Sequence, residues 1–194
     1  MYSTKTFNVP AGRCWFVADT HFGHAGSISH TSRPFRDVAD MDACLIEAWN
    51  AVVAPGDTVF HLGDFAHGSS AKRCAEIFDA LRGRKRLIVG NHDRDRVTGL
   101  PWESVNERLT VVVDGRRLVL DHYPLRAWNR SFHGTIHLHG HTHGSLPGTH
   151  QSCDVGVDVW GYRPVGLPDI LARLAATPEL PEEARLAADS DEAL

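Results

Sequence analysis

Short apolar runs alternate with amphipathic stretches through the first half of the chain. Runs of this length are typical of buried strands, and apolar residues at helical spacing indicate helices between them. The predicted elements are strands at residues 13–18, 58–62 and 87–89 and helices at residues 41–53 and 71–81, with Asp40 and Ser69 as their N-caps. Because the connections are long enough for parallel crossovers, the three strands should bring their carboxyl ends to one edge of a sheet.

The second half of the chain follows a different pattern. Two apolar runs flank the Asp114-Gly115 dipeptide, which predicts a β-hairpin. The predicted elements of this half are hairpin strands at residues 109–113 and 116–120, further strands at 135–138 and 155–159, and a helix at 168–176. Residues 25–39 have no periodicity and are predicted to form a loop. The acidic, alanine-rich residues after Pro178 fit either a loose helix or a disordered segment.

Composition narrows the class of protein. The 194 residues are 42% hydrophobic and 23% charged, which favours one globular domain at residues 1–177, followed by an acidic tail at 178–194. The net charge of −4 provides no overall basic surface for nucleic acid. Four cysteines occur singly, without the paired spacing of a zinc ribbon or a disulfide framework. We find neither a signal-peptide pattern nor an apolar run of membrane-spanning length, so we expect a cytoplasmic protein.

Histidine is unusually frequent, with 13 residues, and it is the commonest metal ligand in proteins. Five of the apolar runs are followed by polar side chains that can bind a metal: Asp19, His21, Asp64, Asn91, His122, His141 and His143. For any single Asp-x-His, an Asx-type turn is the favoured explanation. A zinc store or a pH sensor would explain the histidines alone. A mixed oxygen and nitrogen set without cysteine favours Mn, Fe or Zn in a catalytic site. Seven ligands are too many for one ion and suit two ions that share a bridging carboxylate.

The ordered motifs resemble those of the calcineurin-like metallophosphoesterase superfamily. The matching motifs span residues 14–160 and are Asp19-x-His21, Gly63-Asp64, Gly90-Asn91-His92-Asp93, His122 and Gly140-His141-Thr142-His143. The extended first motif and the Arg-Pro-Phe sequence of residues 33–35 are similar to those of a small bacterial and phage branch. Many members have glycine immediately before the histidine that corresponds to His122, where this chain has Asp121.

The resemblance implies a fold and a metal site. The fold would be α/β (α+β), a four-layer αββα sandwich of two mixed β-sheets. Asp19, His21 and His143 would hold a first metal ion, and Asn91, His122 and His141 a second. Asp64 would bridge the two ions. The cofactors would be two divalent metal ions, with Mn favoured and Fe, Zn or Ni as alternatives.

The resemblance also implies a reaction. Two divalent ions acidify a shared water, and the bridging hydroxide attacks phosphorus in line with the leaving group. His92 would act on the leaving-group side, as a proton donor or as a hydrogen-bond donor to the phosphate. Asp93 would orient the imidazole of His92. The expected activity is metal-dependent hydrolysis of phosphate esters.

Substrate contacts are expected from loops that lie close to the metal motifs. The candidates are Arg33, Arg94, Arg126 and Trp128, because arginine matches phosphate geometry and an aromatic ring can stack on a base. Surface arginines and a tryptophan at the edge of the core explain them equally well. We expect a small phosphorylated substrate, a nucleotide or a short oligonucleotide, with no membrane and no obligate protein partner. A phosphodiesterase is favoured over a phosphomonoesterase, including a protein phosphatase, and over a non-catalytic metal-bound scaffold.

Overall fold

The computed structural model describes residues 11–191 of the chain. Its strands in chain order are β1 Cys14–Val17, β2 Thr58–His61, β3 Arg84–Ile88, β4 Val105–Asn106, β5 Arg108–Val113, β6 Arg116–Asp121, β7 Ile136–His139, β8 Ser152–Asp154 and β9 Val165–Gly166. The helices are α1 Ala25–His30, α2 Val38–Val52, α3 Ala71–Ala80, α4 Asp95–Thr98, α5 Leu167–Ala175 and α6 Glu182–Asp191. The expectation that residues 1–10 are not a signal peptide lies outside the described residues. None of the helices between residues 11 and 191 is long and apolar enough to cross a membrane.

The strands form two mixed sheets. The first has the order β4-β3-β2-β1-β9, in which β1 to β4 are parallel and β9 is antiparallel to β1. The second has the order β5-β6-β7-β8, in which only the β5–β6 pair is antiparallel. The predicted fold class, two mixed sheets flanked by helices, is confirmed. The predicted parallel arrangement of the first three strands is also confirmed.

Alternating residues of the central strands face two different cores. Phe16 of β1 lies in the core between the sheets, which also contains Leu118 of β6 and Leu138 of β7. Its neighbour Val17 lies in the second core, on the opposite face of the sheet, with Trp49 of α2. Because successive side chains of a strand point to opposite faces of the sheet, β1 contributes to two cores. One core lies between the sheets and the other lies beneath the helices.

Both long helices of the first half begin close to their predicted starts, but with different caps. The N-cap of α2 is Asp37, whose side chain accepts the backbone N–H of Asp40, so the predicted cap Asp40 was wrong. The N-cap of α3 is Ser70, which accepts the backbone N–H of Arg73, so the predicted cap Ser69 was also wrong. In both cases the capping residue is the one whose oxygen reaches the third helical amide.

Two further predictions are corrected by the structure, and one open alternative is decided. The predicted loop at residues 25–39 contains helix α1. The predicted strand at residues 155–159 is replaced by β8 and a short 3₁₀-helix, Val157–Val159. The segment after Pro178 contains helix α6, the first of the two forms that the sequence left open. Its Glu183 accepts a hydrogen bond from Ser131 Oγ at 2.6 Å, which ties the helix to the loop outside the second sheet.

The hairpin prediction is confirmed. β5 and β6 are antiparallel, and the turn between them places Asp114 and Gly115 at φ values of 48° and 73°. Positive φ at both central residues matches the right-handed twist of the strands, and aspartate followed by glycine accepts it readily. The hairpin delivers the residues that follow β6 to the same edge as the ends of β1, β2 and β3.

Candidate metal centre

Seven side chains from the two sheets converge at one edge of the sandwich. The first sheet supplies Asp19 and His21 after β1, Asp64 after β2 and Asn91 after β3, and the second supplies His122 after β6 and His141 and His143 after β7. Two groups have ligand atoms that all lie within 4.8 Å of one another, namely Asp19 with His21 and His143, and Asp19 with Asp64 and His122. The structure thus brings together all seven side chains that the sequence nominated as ligands.

Asp64 lies between the two groups of histidines. Its Oδ2 atom is 3.6 Å from Nε2 of His21 and 3.6 Å from Nε2 of His122. Its Oδ1 atom accepts the backbone N–H of His92 at 2.8 Å. One carboxylate oxygen therefore faces both groups of histidines, while the other is fixed by the backbone.

Asn91, which follows β3 of the first sheet, contacts two imidazoles that come from the second sheet. Its Oδ1 atom is 3.0 Å from Nε2 of His122 and 3.1 Å from Nδ1 of His141. The Nδ1 atom of His122 lies 2.8 Å from the carbonyl oxygen of Leu62, which can only accept a hydrogen bond. In the neutral imidazole the lone pair is then on Nε2, so two acceptors face each other across 3.0 Å. A divalent cation between them fits this arrangement.

The backbone at the site is held in an unusual conformation. Five of the seven nominated ligands have positive φ, namely Asp19 at 57°, His21 at 50°, Asp64 at 58°, His141 at 70° and His143 at 49°. Residues other than glycine adopt this conformation rarely, and such strain is concentrated at functional sites. The surrounding contacts therefore maintain a geometry that the isolated turns would not favour.

Two glycines allow the turns to approach one another. A Cβ atom on Gly90 would lie 2.3 Å from Oδ1 of Asp64, and one on Gly63 would lie 2.5 Å from Nδ1 of His122. Gly63 also has a φ of +95°. The Gly-Asp and Gly-Asn-His-Asp motifs thus contain glycine because any side chain would displace a nominated ligand.

The charges of the site are unbalanced without a cation. Burial raises the pKa of Asp19 well above its ordinary value, and Asp154 and Asp64 raise it further. Burial lowers the pKa of His21 to about 2, and His143 and Arg33 act in the same direction. The Nδ1 atom of His21 is also buried without a hydrogen-bond partner among the described residues. Neutral imidazoles beside clustered buried carboxylates are the donor set that a divalent cation requires.

His92 and Asp93 have different surroundings. The His92 side chain is 36% exposed, with Nε2 4.0 Å from Oδ2 of Asp64. Its ring lies edge-on to the ring of His67, with the centroids 4.6 Å apart. The carboxylate of Asp93 accepts the backbone N–H groups of Asp64, Phe65 and Gly90, each at 2.9 Å. The prediction that Asp93 orients His92 was therefore wrong, because both of its oxygens hold the backbone turns.

A cleft of about 540 Å³ opens beside His92. Its lining consists of histidines and hydroxyl residues: His21, His24, Ser27, His30, Thr31, His92, His141, Thr142, His143 and Ser145. Lysine, arginine and the large aromatic residues are absent from this lining within residues 11–191. The cleft thus offers a ligand mainly imidazole and hydroxyl groups beside the nominated metal ligands.

The predicted substrate contacts are mostly elsewhere. Arg33 is buried, and its guanidinium contacts Asp158 and backbone carbonyls. Trp128 is buried behind the second sheet, where its Nε1 donates to the carbonyl oxygen of Thr135 at 2.7 Å. The Arg33 side chain has no exposed surface, so the prediction that it contacts substrate was wrong. Trp128 does not line the cleft beside His92 and borders two other clefts instead.

The two remaining arginines differ from each other. Arg126 is exposed and forms a two-point ion pair with Glu182 of α6, with distances of 2.6 and 2.5 Å. Arg94 is exposed and lies one residue beyond Asp93. Burial, His92 and Arg96 lower the pKa of His67, and the charge of Arg94 adds a smaller effect in the same direction. Arg94 is therefore the predicted contact whose position is compatible with a ligand in the cleft.

Two acidic residues that sequence reasoning did not nominate support the site. Oδ2 of Asp154 accepts hydrogen bonds from Thr142 Oγ1 at 2.8 Å and from the backbone N–H of Gly144 at 3.0 Å, which fixes the loop that bears His143. Oδ2 of Asp158 lies 2.7 Å from Nδ1 of His143. The sequence did contain a signal for these two residues, because an acidic residue lies on each side of the apolar segment Val155-Gly156-Val157.

Comparisons with known proteins agree with this geometry. A family model described as the calcineurin-like phosphoesterase superfamily domain matches residues 13–157. An uncharacterized protein of Methanocaldococcus jannaschii is 33% identical over 171 residues, covering 84% of this chain and 90% of the relative. The gene 66 protein of Mycobacterium phage L5 is 32% identical over 181 residues, covering 76% of this chain and 87% of the phage protein. A solved structure of a protein of unknown function from Aquifex aeolicus superposes with a TM-score of 0.63 at 23% identity, covering 81% of this chain and 96% of the other, which supports the fold alone.

Proposed function

This chain belongs to the calcineurin-like phosphoesterase superfamily, whose members are metal-dependent phosphoesterases, and we propose that it hydrolyses phosphodiesters with two divalent cations. The observation that supports this proposal best is the position of Asp64. One oxygen of this buried carboxylate lies 3.6 Å from imidazole nitrogens of both His21 and His122. A single negative oxygen placed between two sets of neutral donors suits two cations better than one.

The proposed ligands divide between the two positions. Asp19, His21 and His143 would hold the first cation. Asn91, His122 and His141 would hold the second, and Asp64 would contact both. Oxygen and imidazole donors without thiolate favour Mn, with Fe, Zn or Ni as alternatives. When bound, the two cations would supply an activated water and neutralise the charge that develops on the phosphoryl oxygens.

His92 would act on the leaving group. Its imidazole borders the cleft, is partly exposed and lies 4.0 Å from Oδ2 of Asp64, so it can reach a group bound beside the cations. The backbone N–H of His92 is fixed by Oδ1 of Asp64 at 2.8 Å. We expect Nε2 of His92 to donate a proton or a hydrogen bond to the departing oxygen.

The lining of the cleft supports diesters over monoesters. A phosphomonoester carries up to two negative charges near neutral pH, whereas a diester carries one. Within the described residues the lining offers imidazoles and hydroxyls and no guanidinium or ammonium group. Such a lining suits the single negative charge of a diester better than the two charges of a monoester. A small nucleotide or a short oligonucleotide remains our proposed substrate, with Arg94 as the candidate contact to a neighbouring phosphate.

The test compares two chromogenic substrates on metal-stripped protein to which Mn²⁺ is restored. We expect bis-p-nitrophenyl phosphate to be hydrolysed with a higher kcat/KM than p-nitrophenyl phosphate, and neither to be hydrolysed without metal. A preference for the monoester would replace the proposal with a phosphatase. Absence of hydrolysis with two bound cations would favour a non-catalytic scaffold.

A further inference from the structure

Arg33 is buried against the metal centre without pointing into it. Its side chain has no exposed surface, although it belongs to the loop that follows α1. Nε and Nη2 donate to the two oxygens of Asp158, each at 2.8 Å. Nη1 donates to the carbonyl oxygen of Thr20 at 3.0 Å, and Nη2 also donates to the carbonyl oxygen of Asp19 at 2.6 Å. One guanidinium thus joins the turn after β1 to the 3₁₀-helix that contains Asp158.

Asp158 in turn contacts a nominated metal ligand. Its Oδ2 atom lies 2.7 Å from Nδ1 of His143, and its side chain is only 8% exposed. A carboxylate at this position accepts the Nδ1 proton and leaves the lone pair of the imidazole on Nε2. The ring of His143 stacks on that of His21, with the centroids 5.2 Å apart. The pair Arg33 and Asp158 therefore contacts Asp19 and His143 directly, and it reaches the turn before His21 through the carbonyl oxygen of Thr20.

The second position is held by different contacts. The ring of His122 is fixed by the carbonyl oxygen of Leu62, and Asn91 lies between His122 and His141. Arg33 and Asp158 form no hydrogen bond with these three ligands within residues 11–191. The two cation positions thus rest mostly on different contacts, although they share Asp64 and the carboxylate of Asp19 also accepts the backbone N–H of His141.

We propose that Arg33 and Asp158 are positioning residues that act on the affinity of the first cation position much more than on that of the second. This inference rests on the proposed two-cation site and concerns the binding of metal, not the identity of the substrate. The left-handed turn of Asp19 and His21 requires the guanidinium, and the imidazole of His143 requires the carboxylate.

The variants are chosen so that the fold survives. Removing one partner alone would leave a buried charge without a counter-charge, which is strongly destabilising. The double variant Arg33→Met with Asp158→Leu removes both charges and replaces them with apolar side chains. Asp158→Asn keeps the size of the side chain and an oxygen that can accept the Nδ1 proton of His143. It serves as the conservative variant on the condition that it folds, because it leaves Arg33 without a full counter-charge. Arg36→Met is the matched control, because Arg36 lies in the same loop but is exposed.

Metal-free protein is titrated with Mn²⁺ by calorimetry, and the bound metal is counted by mass spectrometry after dialysis. We expect two ions per wild-type chain, and in the double variant one ion weakened about 10–100-fold and the other weakened much less. Asp158→Asn should lose less affinity than the double variant, and Arg36→Met none. Equal weakening of both ions, no weakening, or fewer than two ions in the wild type would overturn the inference.

Two further measurements keep the outcome unambiguous. Circular dichroism confirms that each variant is folded, and if the double variant is not, Arg33→Lys replaces it. Lysine keeps the charge but cannot bond Asp158 at two points while also reaching the two carbonyls, so unchanged affinities in Arg33→Lys would also overturn the inference. Diester hydrolysis by the wild type is measured separately. Two bound ions without hydrolysis would refute the proposed activity and leave the inference about metal binding intact.

Discussion

Asp93 holds Asp64 in its left-handed conformation, because Oδ2 of Asp93 accepts the backbone N–H of Asp64 at 2.9 Å while φ of Asp64 is 58°. The same oxygen accepts the N–H of Gly90, and the other oxygen accepts the N–H of Phe65. The last residue of the Gly-Asn-His-Asp motif thus fixes the turn after β2 against the turn after β3. The carboxylate that we propose to bridge the cations is therefore placed by a neighbour that is not itself a proposed ligand.

Replacing Asp93 with alanine should destabilise the protein by about 3 kcal/mol, since three backbone donors would lose a buried charged acceptor. Urea denaturation in the presence of chelator measures this change without a contribution from metal. The exposed Asp95, two residues further along, provides the control, and Asp95→Ala should cost less than about 1 kcal/mol. Equal losses in the two variants would contradict the role given to Asp93.

Asp64→Asn should leave the fold intact and lower kcat for diester hydrolysis by about 10²–10³-fold, the range seen when one electrostatic group of a catalytic site is removed. The amide keeps the shape of the side chain but removes the charge between His21 and His122. Activity assays combined with metal analysis check the prediction. Full activity with two bound ions would show that Asp64 does not bridge.

His92→Ala should lower turnover by about 10²–10⁴-fold for substrates with a poor leaving group, and much less for p-nitrophenyl esters. A poor leaving group needs a proton in the transition state, whereas p-nitrophenolate departs without one. The measurement is a series of aryl and alkyl diesters of increasing leaving-group pKa. A loss that is equal across the series would indicate that His92 binds the phosphate instead of donating a proton.

The buried His137 should make the protein less stable in mild acid. Burial, with a contribution from His139, lowers the pKa of His137 to about 4, from 6.5 in the unfolded chain. Between these values the unfolded state binds a proton that the folded state does not, so stability falls as pH decreases through this window. From pH 7 to pH 5 this one group should cost about 2 kcal/mol.

His137→Gln tests this expectation, because glutamine does not titrate and can still accept the backbone N–H of Leu125. Unfolding free energies are compared at pH 7 and pH 5 with chelator present, so that release of metal does not contribute. The variant should lose about 2 kcal/mol less than the wild type over this interval. The exposed His133→Gln is the control, and an identical loss in His137→Gln would remove His137 as the cause.

Arg94→Ala should raise KM for diester substrates about tenfold if its guanidinium contacts a phosphate, since such charge-assisted bonds contribute about 1.5–3 kcal/mol. Arg126→Ala should leave KM unchanged, because that guanidinium is paired with Glu182 outside the second sheet. Steady-state kinetics at constant ionic strength compare the two exposed arginines. An increase in KM for Arg126→Ala alone would place the substrate on the other side of the molecule.

Local signals in the sequence were sufficient for much of the fold. The Asp114-Gly115 dipeptide predicts its hairpin because both residues accept positive φ, and the structure places both there. The choice between Asp37 and Asp40 as the cap was less determined, because each aspartate could cap a helix that begins immediately after it. The predicted strand at residues 155–159 was wrong because the Asp154 side chain accepts the backbone N–H of Gly156 and Asp158 pairs with Arg33, which is 125 positions away.

The candidate site was predictable to different degrees. The nominated ligands follow apolar runs directly, so strand periodicity alone indicates where they lie. The role of Arg33 was not predictable, because its partner Asp158 is 125 positions away and a loop arginine is usually exposed. Trp128 was assigned to the substrate for a similar reason, since its burial depends on the carbonyl oxygen of Thr135 and on the packing outside the second sheet.

The proposed ligands come from both sheets, and this division has a consequence for resistance to heat. Four of the proposed ligands follow strands of the first sheet and three follow strands of the second, while all four cysteines are free. Bound cations would therefore link the two sheets of the sandwich to each other, a role that disulfides have in many secreted proteins. Supply of metal would then govern how long this protein survives heating, independently of whether any substrate is present.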